Sequence, residues 1–147
     1  MTPSPSAWQL PSEPLALSAG EIHVWKAELD LPTVDVELLA RTLSEEERGR
    51  ATRFHFERDR DRFIAGRGIL RTILARYLNA DPASLRFRYN SHGKPSLDED
   101  TDIHFNLSHS HGLALIAVTR GREVGVDIER ARPQAVDENM ARRFFSS

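Results

Sequence analysis

The stretch Ile103-His-Phe-Asn-Leu-Ser-His-Ser-His-Gly-Leu-Ala-Leu-Ile-Ala-Val-Thr-Arg-Gly-Arg-Glu-Val-Gly-Val-Asp-Ile-Glu129 decides how this chain is read. An apolar run closes in a polar Ser/His turn at Ser110-His-Gly, a second apolar run follows, and after a Gly-containing turn a third strand is expected to carry two carboxylates. Side chains two apart on a strand share a face. Val124, Val126 and Ile128 therefore share the face a core would bury, and Gly125, Asp127 and Glu129 share the other. Gly125 leaves open space beside the acids. Carboxylates about 6–7 Å apart on one strand face can ligate a single hard cation. Mg²⁺ is commonly held by one or two carboxylates, with waters and substrate phosphates completing its octahedron. On spacing alone, a solvated strand face beside Arg130 and Arg132 is the simpler account of the pair.

Working outward, residues 1–20 hold Pro3, Pro5, Pro11 and Pro14 and predict an extended N-terminal arm. Residues 21–29 alternate, with Ile22 and Val24 opposite His23 and Trp25, and predict a strand. Val36, Leu39 and Leu43 fall at helical spacing. Ser44-Glu-Glu-Glu47 is a capping box that starts a second helix carrying Arg48, Arg50 and Arg53. A third helix is expected over residues 59–78, with Phe63, Gly66, Leu70, Ile73 and Tyr77 buried and Arg60, Arg67, Arg71 and Arg76 supplying charge. Gly66 and Gly68 each cost such a helix roughly 1 kcal/mol against Ala. A tight helix crossing or a close ligand would account for them. Asp81-Pro82 caps a short helical turn. Leu85, Phe87 and Tyr89 predict a strand whose outer face carries Arg86 and Arg88. Asn90-Ser-His-Gly93 is a turn, residues 98–102 an acidic loop, and Asp137 can cap a last helix over residues 138–145.

At 147 residues, with 39% apolar and 29% charged content, the chain is long enough for one domain and too apolar to be disordered. Without cysteine it has no disulfide framework, thiolate nucleophile or thiolate metal site. No apolar run is long enough to span a membrane and no signal peptide opens the chain, so the default location is cytoplasmic. The net charge of −2 conceals an asymmetry: residues 48–88 hold eleven Arg against the four acids Glu57, Asp59, Asp61 and Asp81. Most of these Arg suit a solvated helix face with local ion pairs, but the excess fits an anionic partner, and Arg forks match phosphate oxygens. His104, His109 and His111 cluster without a Cys or a third His at zinc spacing.

Four segments in order resemble one family: Gly93-Lys-Pro, Asn106-Leu-Ser-His-Ser, Val-Gly-Val-Asp-Ile-Glu at 124–129 and Arg142-Arg-Phe-Phe-Ser. They are similar to the signature of the 4′-phosphopantetheinyl transferases of the surfactin-synthetase-activating type. Each segment is weak alone; together they span most of the chain. The resemblance implies an α+β fold, mostly antiparallel sheet packed with helices, in which residues 21–147 form the N-terminal half of a pseudo-two-fold molecule. It implies Mg²⁺-dependent transfer of 4′-phosphopantetheine from coenzyme A to a serine of an acyl or peptidyl carrier protein of fatty acid, polyketide or nonribosomal peptide synthesis.

By the same resemblance Asp127 and Glu129 are the metal ligands, and Asp127 also borders the coenzyme A pyrophosphate. Lys94, Ser108, His109, Arg50 and Arg53 contact coenzyme A phosphates, and Arg62 and Arg67 are weaker candidates. His111 stands where the family usually has Gly and reads as exposed and incidental. The family's second half carries a Trp-x-x-Lys-Glu-type helix that supplies the third metal ligand and the lysine implicated in proton transfer. This sequence has no such motif, so the chain is expected to be a fragment and the general base is unassigned. Its cleft-facing apolar surface would then pair with the missing C-terminal half or with a second copy. The competing readings are a non-catalytic coenzyme A or nucleotide-binding half-domain, an inert fragment, and a different Mg²⁺-dependent phosphoester enzyme. Neither nucleic acid nor membrane is an expected partner.

Overall fold

The computed structural model of the chain describes residues 16–98 and 101–121. The strand expected over 124–129, with Asp127 and Glu129, and the helix expected over 138–145 lie outside the described residues.

The described part of the decisive stretch, residues 103–121, folds as a hairpin. Strand β4 (Ile103–Ser110) pairs antiparallel with β5 (Leu113–Arg120). Only His111 and Gly112 join them, at φ +52° and +82°. Two successive positive φ values match the twist of the paired strands. The turn is therefore one residue shorter than expected, and Ser110 ends β4. Strand β1 (Ile22–Glu28) pairs with the other edge of β5, giving the order β1-β5-β4. The central position explains why Leu-Ala-Leu-Ile-Ala-Val in β5 lacks alternation: this strand is buried on both faces.

One face of the sheet presents Trp25, Ala27, Phe105, Ile116 and Val118, which join Ile69, Leu70, Ile73 and Leu74 of a long helix in one core cluster. Each fully buried side chain of this size stabilises the fold by about 1.5–3 kcal/mol. On the opposite face Val24, Leu115, Ala117 and Thr119 are buried as well. Leu17 also reaches the core, and its carbonyl accepts from Arg120 Nε at 2.8 Å. The chain is thus anchored three residues before Gly20. The large apolar side chains exposed among the described residues are Val34, Leu38, Phe54 and Phe56, none on the sheet.

Helix α1 (Thr33–Ala40) crosses the long helix α3 (Glu57–Leu78), with α2 (Glu45–Ala51) between them in sequence. The capping box forms as the sequence predicts. Glu47 N donates to Ser44 Oγ at 3.1 Å, and Ser44 N to Glu47 Oε1 at 2.9 Å. Gly68 marks the crossing, since a Cβ there would lie 2.7 Å from Leu39 Cβ. Helix α3 ends at Asn79 in the left-handed conformation, and Asp81 Oδ1 caps the single 3-10 turn Pro82–Ser84. A small hairpin follows: β2 (Phe87–Tyr89) and β3 (Pro95–Leu97) around the turn that Asn90 Oδ1 closes on His92 N and Lys94 N.

Candidate functional site

A cleft of about 350 Å³ opens between the start of α3, the end of α2 and the β4–β5 turn, and its polar lining includes Arg50, Arg62, Arg67, His109 and His111. The local folding explains this convergence. The Ser44 cap orients α2 so that Arg50 stands in its last turn. On α3, Phe63 and Arg67 are four residues apart and share a face. On β4 the core-facing row Phe105, Leu107 and His109 runs outward from buried to exposed, so His109 emerges at the cleft while Phe105 stays in the core. Phe54 and Phe63 pack at 5.5 Å between ring centres and form the apolar wall.

The Arg side chains do not share one environment. Arg62 grips Asp30 with both nitrogens of its fork, Nε to Oδ1 at 2.7 Å and Nη2 to Oδ2 at 3.0 Å. That hydrogen-bonded pairing holds the Asp30 carboxyl below the usual carboxylate range. Gly112 lies against this pair, and a Cβ there would stand 2.6 Å from Asp30 Oδ2. Its lack of a side chain is thus required for space as well as for its φ.

Arg67 and Arg71, expected to supply surface charge, are instead buried, at 6% and 1% exposure. Arg71 Nε donates to Glu47 Oε1 at 2.8 Å, and its Nη1 donates to the carbonyls of Pro82 and Leu85. Arg67 Nη1 donates to Tyr89 Oη at 2.8 Å and to Glu47 Oε2 at 3.4 Å. Glu47, one member of the capping box, therefore also ties α2 to α3. The sequence carries a signal for the inward face of the two Arg, though none for their partner Glu47. Arg67 and Arg71 sit at helical spacing within the stripe Phe63, Leu70 and Leu74, so a helix that buries those apolar residues turns both Arg inward.

The expected site residues are distributed as follows. Arg50 and His109 meet on the cleft. Arg53 is exposed and outside its lining. Lys94 lines a second cleft of about 320 Å³ with Asn90, Thr101 and His104. Ser108 and His109, adjacent on β4, point to opposite faces of the sheet. His111 is exposed, yet it also lines the first cleft and holds a left-handed turn position. Among the described residues, no three of His, Cys, Asp and Glu gather as a metal site, and no helix is long and apolar enough to cross a membrane.

Residues 31–121 match the family model described as 4′-phosphopantetheinyl transferase, N-terminal. The chain belongs to the 4′-phosphopantetheinyl transferase family. It is 47% identical to the 4′-phosphopantetheinyl transferase HetI of Nostoc sp. over 140 residues, 92% of this chain and 59% of that protein. It is 34% identical to the 4′-phosphopantetheinyl transferase Sfp of Bacillus subtilis over 71% of this chain and 45% of that protein. The chain thus spans about half the length of these family members. The fold is similar to a holo-(acyl-carrier-protein) synthase of Bacillus anthracis solved with CoA (3′,5′-ADP), at a TM-score of 0.50 and 24% identity over 67% of this chain and 92% of that one. This phosphopantetheinyl transferase chain has the α+β, antiparallel architecture that its motifs imply.

Proposed function

We propose that this chain is the coenzyme-A-binding half of a Mg²⁺-dependent 4′-phosphopantetheinyl transferase that loads a serine of an acyl or peptidyl carrier protein. The observation that carries the reading is the convergence of Arg50 and His109, far apart in sequence, on one basic cleft. The matches to phosphopantetheinyl transferases over most of the chain support it.

In the proposed reaction the carrier serine oxygen forms a bond to the β-phosphorus of coenzyme A. The bond from that phosphorus to the bridging oxygen breaks, and 3′,5′-ADP leaves with the electron pair. The chain's contribution is positioning and charge stabilisation, since phosphoryl transfer needs little else from a protein. Arg50 and His109 bind the nucleotide phosphates on the cleft side. Lys94 and Ser108 are assigned to coenzyme A by family resemblance; Lys94 occupies the neighbouring cleft and would meet a different part of an extended ligand. Asp127 and Glu129 are a donor pair of hard oxygens suited to Mg²⁺, which when bound would offset the pyrophosphate charge. The serine proton passes to a base that belongs to the proposed second half of the molecule.

The carrier-loading assay tests the reading: mass spectrometry after incubation with coenzyme A, Mg²⁺ and a carrier protein, with and without an added second half. Loading that needs the second half agrees with the proposal; no loading under either condition removes it. Asp127→Ala is expected to abolish the Mg²⁺ dependence of coenzyme A binding in calorimetry, and a variant that responds to Mg²⁺ like the wild type refutes that role. The alternative reading is a coenzyme-A-binding half-domain without activity of its own. Coenzyme A binding without loading in either assay selects it.

A further inference from the structure

We propose that Asp30 is a positioning residue: it withdraws Arg62 from the ligand and locks the β4–β5 turn, with His109, against the start of α3. This rests on the coenzyme A reading above, and it gives Arg62 a role other than the phosphate contact that the family resemblance suggests.

Arg62 and Asp30 meet side-on, Nε donating to Oδ1 at 2.7 Å and Nη2 to Oδ2 at 3.0 Å. The carboxylate takes two of the donors a phosphate would use and balances the charge of the guanidinium, so Arg62 lines the cleft already paired. Asp30 lies outside the cleft lining, on the neighbouring groove with Glu57 and Asp61. It therefore acts on the cleft through the groups it touches.

Those groups include the tip of the hairpin. Gly112 packs so closely on the pair that a Cβ there would lie 2.6 Å from Asp30 Oδ2 and 3.2 Å from Arg62 Nη2. The Gly112 carbonyl accepts from the backbone N–H of Leu29, the residue before Asp30, at 2.7 Å. The turn needs such support. His111 holds φ +52°, a left-handed position that a residue with a side chain occupies at a cost and keeps where its surroundings hold it. The link after β1, the start of α3 and the β4–β5 turn thus meet at one carboxylate. Leu29, Arg62, His109 and Gly112 all line the cleft, so a shift at this junction moves its walls relative to one another.

The junction is separable from the stability of the fold. The Asp30 side chain is 57% exposed and that of Arg62 24%. Ion pairs so open to water contribute little to folding. What the pair supplies is orientation: a fork gripping a carboxylate in one plane sets direction as well as distance, whereas an ammonium sets distance alone.

The test is calorimetry with coenzyme A on this chain as wild type, Arg62→Lys, Asp30→Asn and the double variant, with thermal melts and histidine-ring NMR spectra of the ligand-free proteins. Arg62→Lys keeps both charges and loses the fork. It should weaken coenzyme A binding about three- to tenfold, the size of one misaligned charge-assisted contact, while the melting temperature falls by at most about 5 °C. Asp30→Asn should weaken binding to a similar extent, although it removes a negative charge beside the cleft. The double variant should stay within about twofold of the weaker single one, because the two residues act as a unit. The His109 ring resonances should shift in both single variants. Tighter binding by Asp30→Asn overturns the inference, since Arg62 would then be a phosphate ligand that Asp30 restrains. Unchanged affinity in both single variants, or unmoved His109 resonances, overturns it too, and a larger loss of melting temperature marks the pair as a structural tie and does the same. A wild type that binds no coenzyme A removes the coenzyme A reading and this role with it; a wild type that binds, with variants that match it, removes this role alone.

Discussion

Gly66 and Gly68 stand two residues apart on α3, and replacing each by Ala should move stability in opposite directions. In a helix interior, Gly→Ala contributes about 1 kcal/mol from propensity alone. At Gly68 the new methyl would lie 2.7 Å from Leu39 Cβ and 3.1 Å from the Leu39 carbonyl oxygen. Both obstacles belong to the backbone or its first side-chain atom, so α1 itself must move away. Overpacking of this kind costs about 1–3 kcal/mol, and the rigid neighbours place it in the upper part of that range. The expected net loss for Gly68→Ala is about 1–2 kcal/mol. At Gly66 the nearest atom is Leu29 Cδ2 at 3.7 Å, an ordinary contact. Gly66→Ala should therefore gain up to about 1 kcal/mol. Urea unfolding followed by far-UV circular dichroism reads both, as midpoint shifts of opposite sign at constant m. A stabilised Gly68→Ala, or two shifts of the same sign, would refute the assignment of Gly68 to the helix crossing.

Glu47→Gln keeps the capping hydrogen bonds but strips the counter-charge from Arg67 and Arg71; by analogy with other broken buried pairs it should cost about 3–5 kcal/mol, and a loss below about 1 kcal/mol in urea unfolding would show the pair to be incidental. Tyr77 gives a pH dependence. Burial raises the phenol well above its usual range, and the hydrogen bond from Trp25 Nε1 to its oxygen opposes that rise in part. The folded pKa lies above the unfolded value of about 10, so this contribution is whole below pH 10 and is lost as pH rises beyond it. The wild type should therefore lose stability by up to about 1.4 kcal/mol per pH unit above pH 10, relative to Tyr77→Phe. Parallel alkaline stability curves for the two proteins would contradict this.

The sequence by itself determined the local elements and the family. The Ser44 capping box, the Asp81-Pro82 cap and the Asn90 turn each depend on residues within about four positions, so local sequence alone favours them. The Asn106-Leu-Ser-His-Ser motif located His109 and the wider family resemblance pointed to Arg50, and the structure brings the two to one cleft. Tertiary structure decided what the charges do. Arg67 and Arg71 read as surface charge because no local rule shows that Glu47, some twenty residues earlier, arrives beside them; α2 must first dock on α3. The same holds for Gly68, whose meaning is the position of Leu39, and for Asp30, whose partner Arg62 is thirty-two residues away. Lys94 sits beside a different cleft from Arg50 for a similar reason, since it lies in the turn of the β2–β3 hairpin and goes where that hairpin packs. Helical and strand periodicity report which face a side chain occupies; which other segment meets that face is set by packing, and only the folded chain settles it.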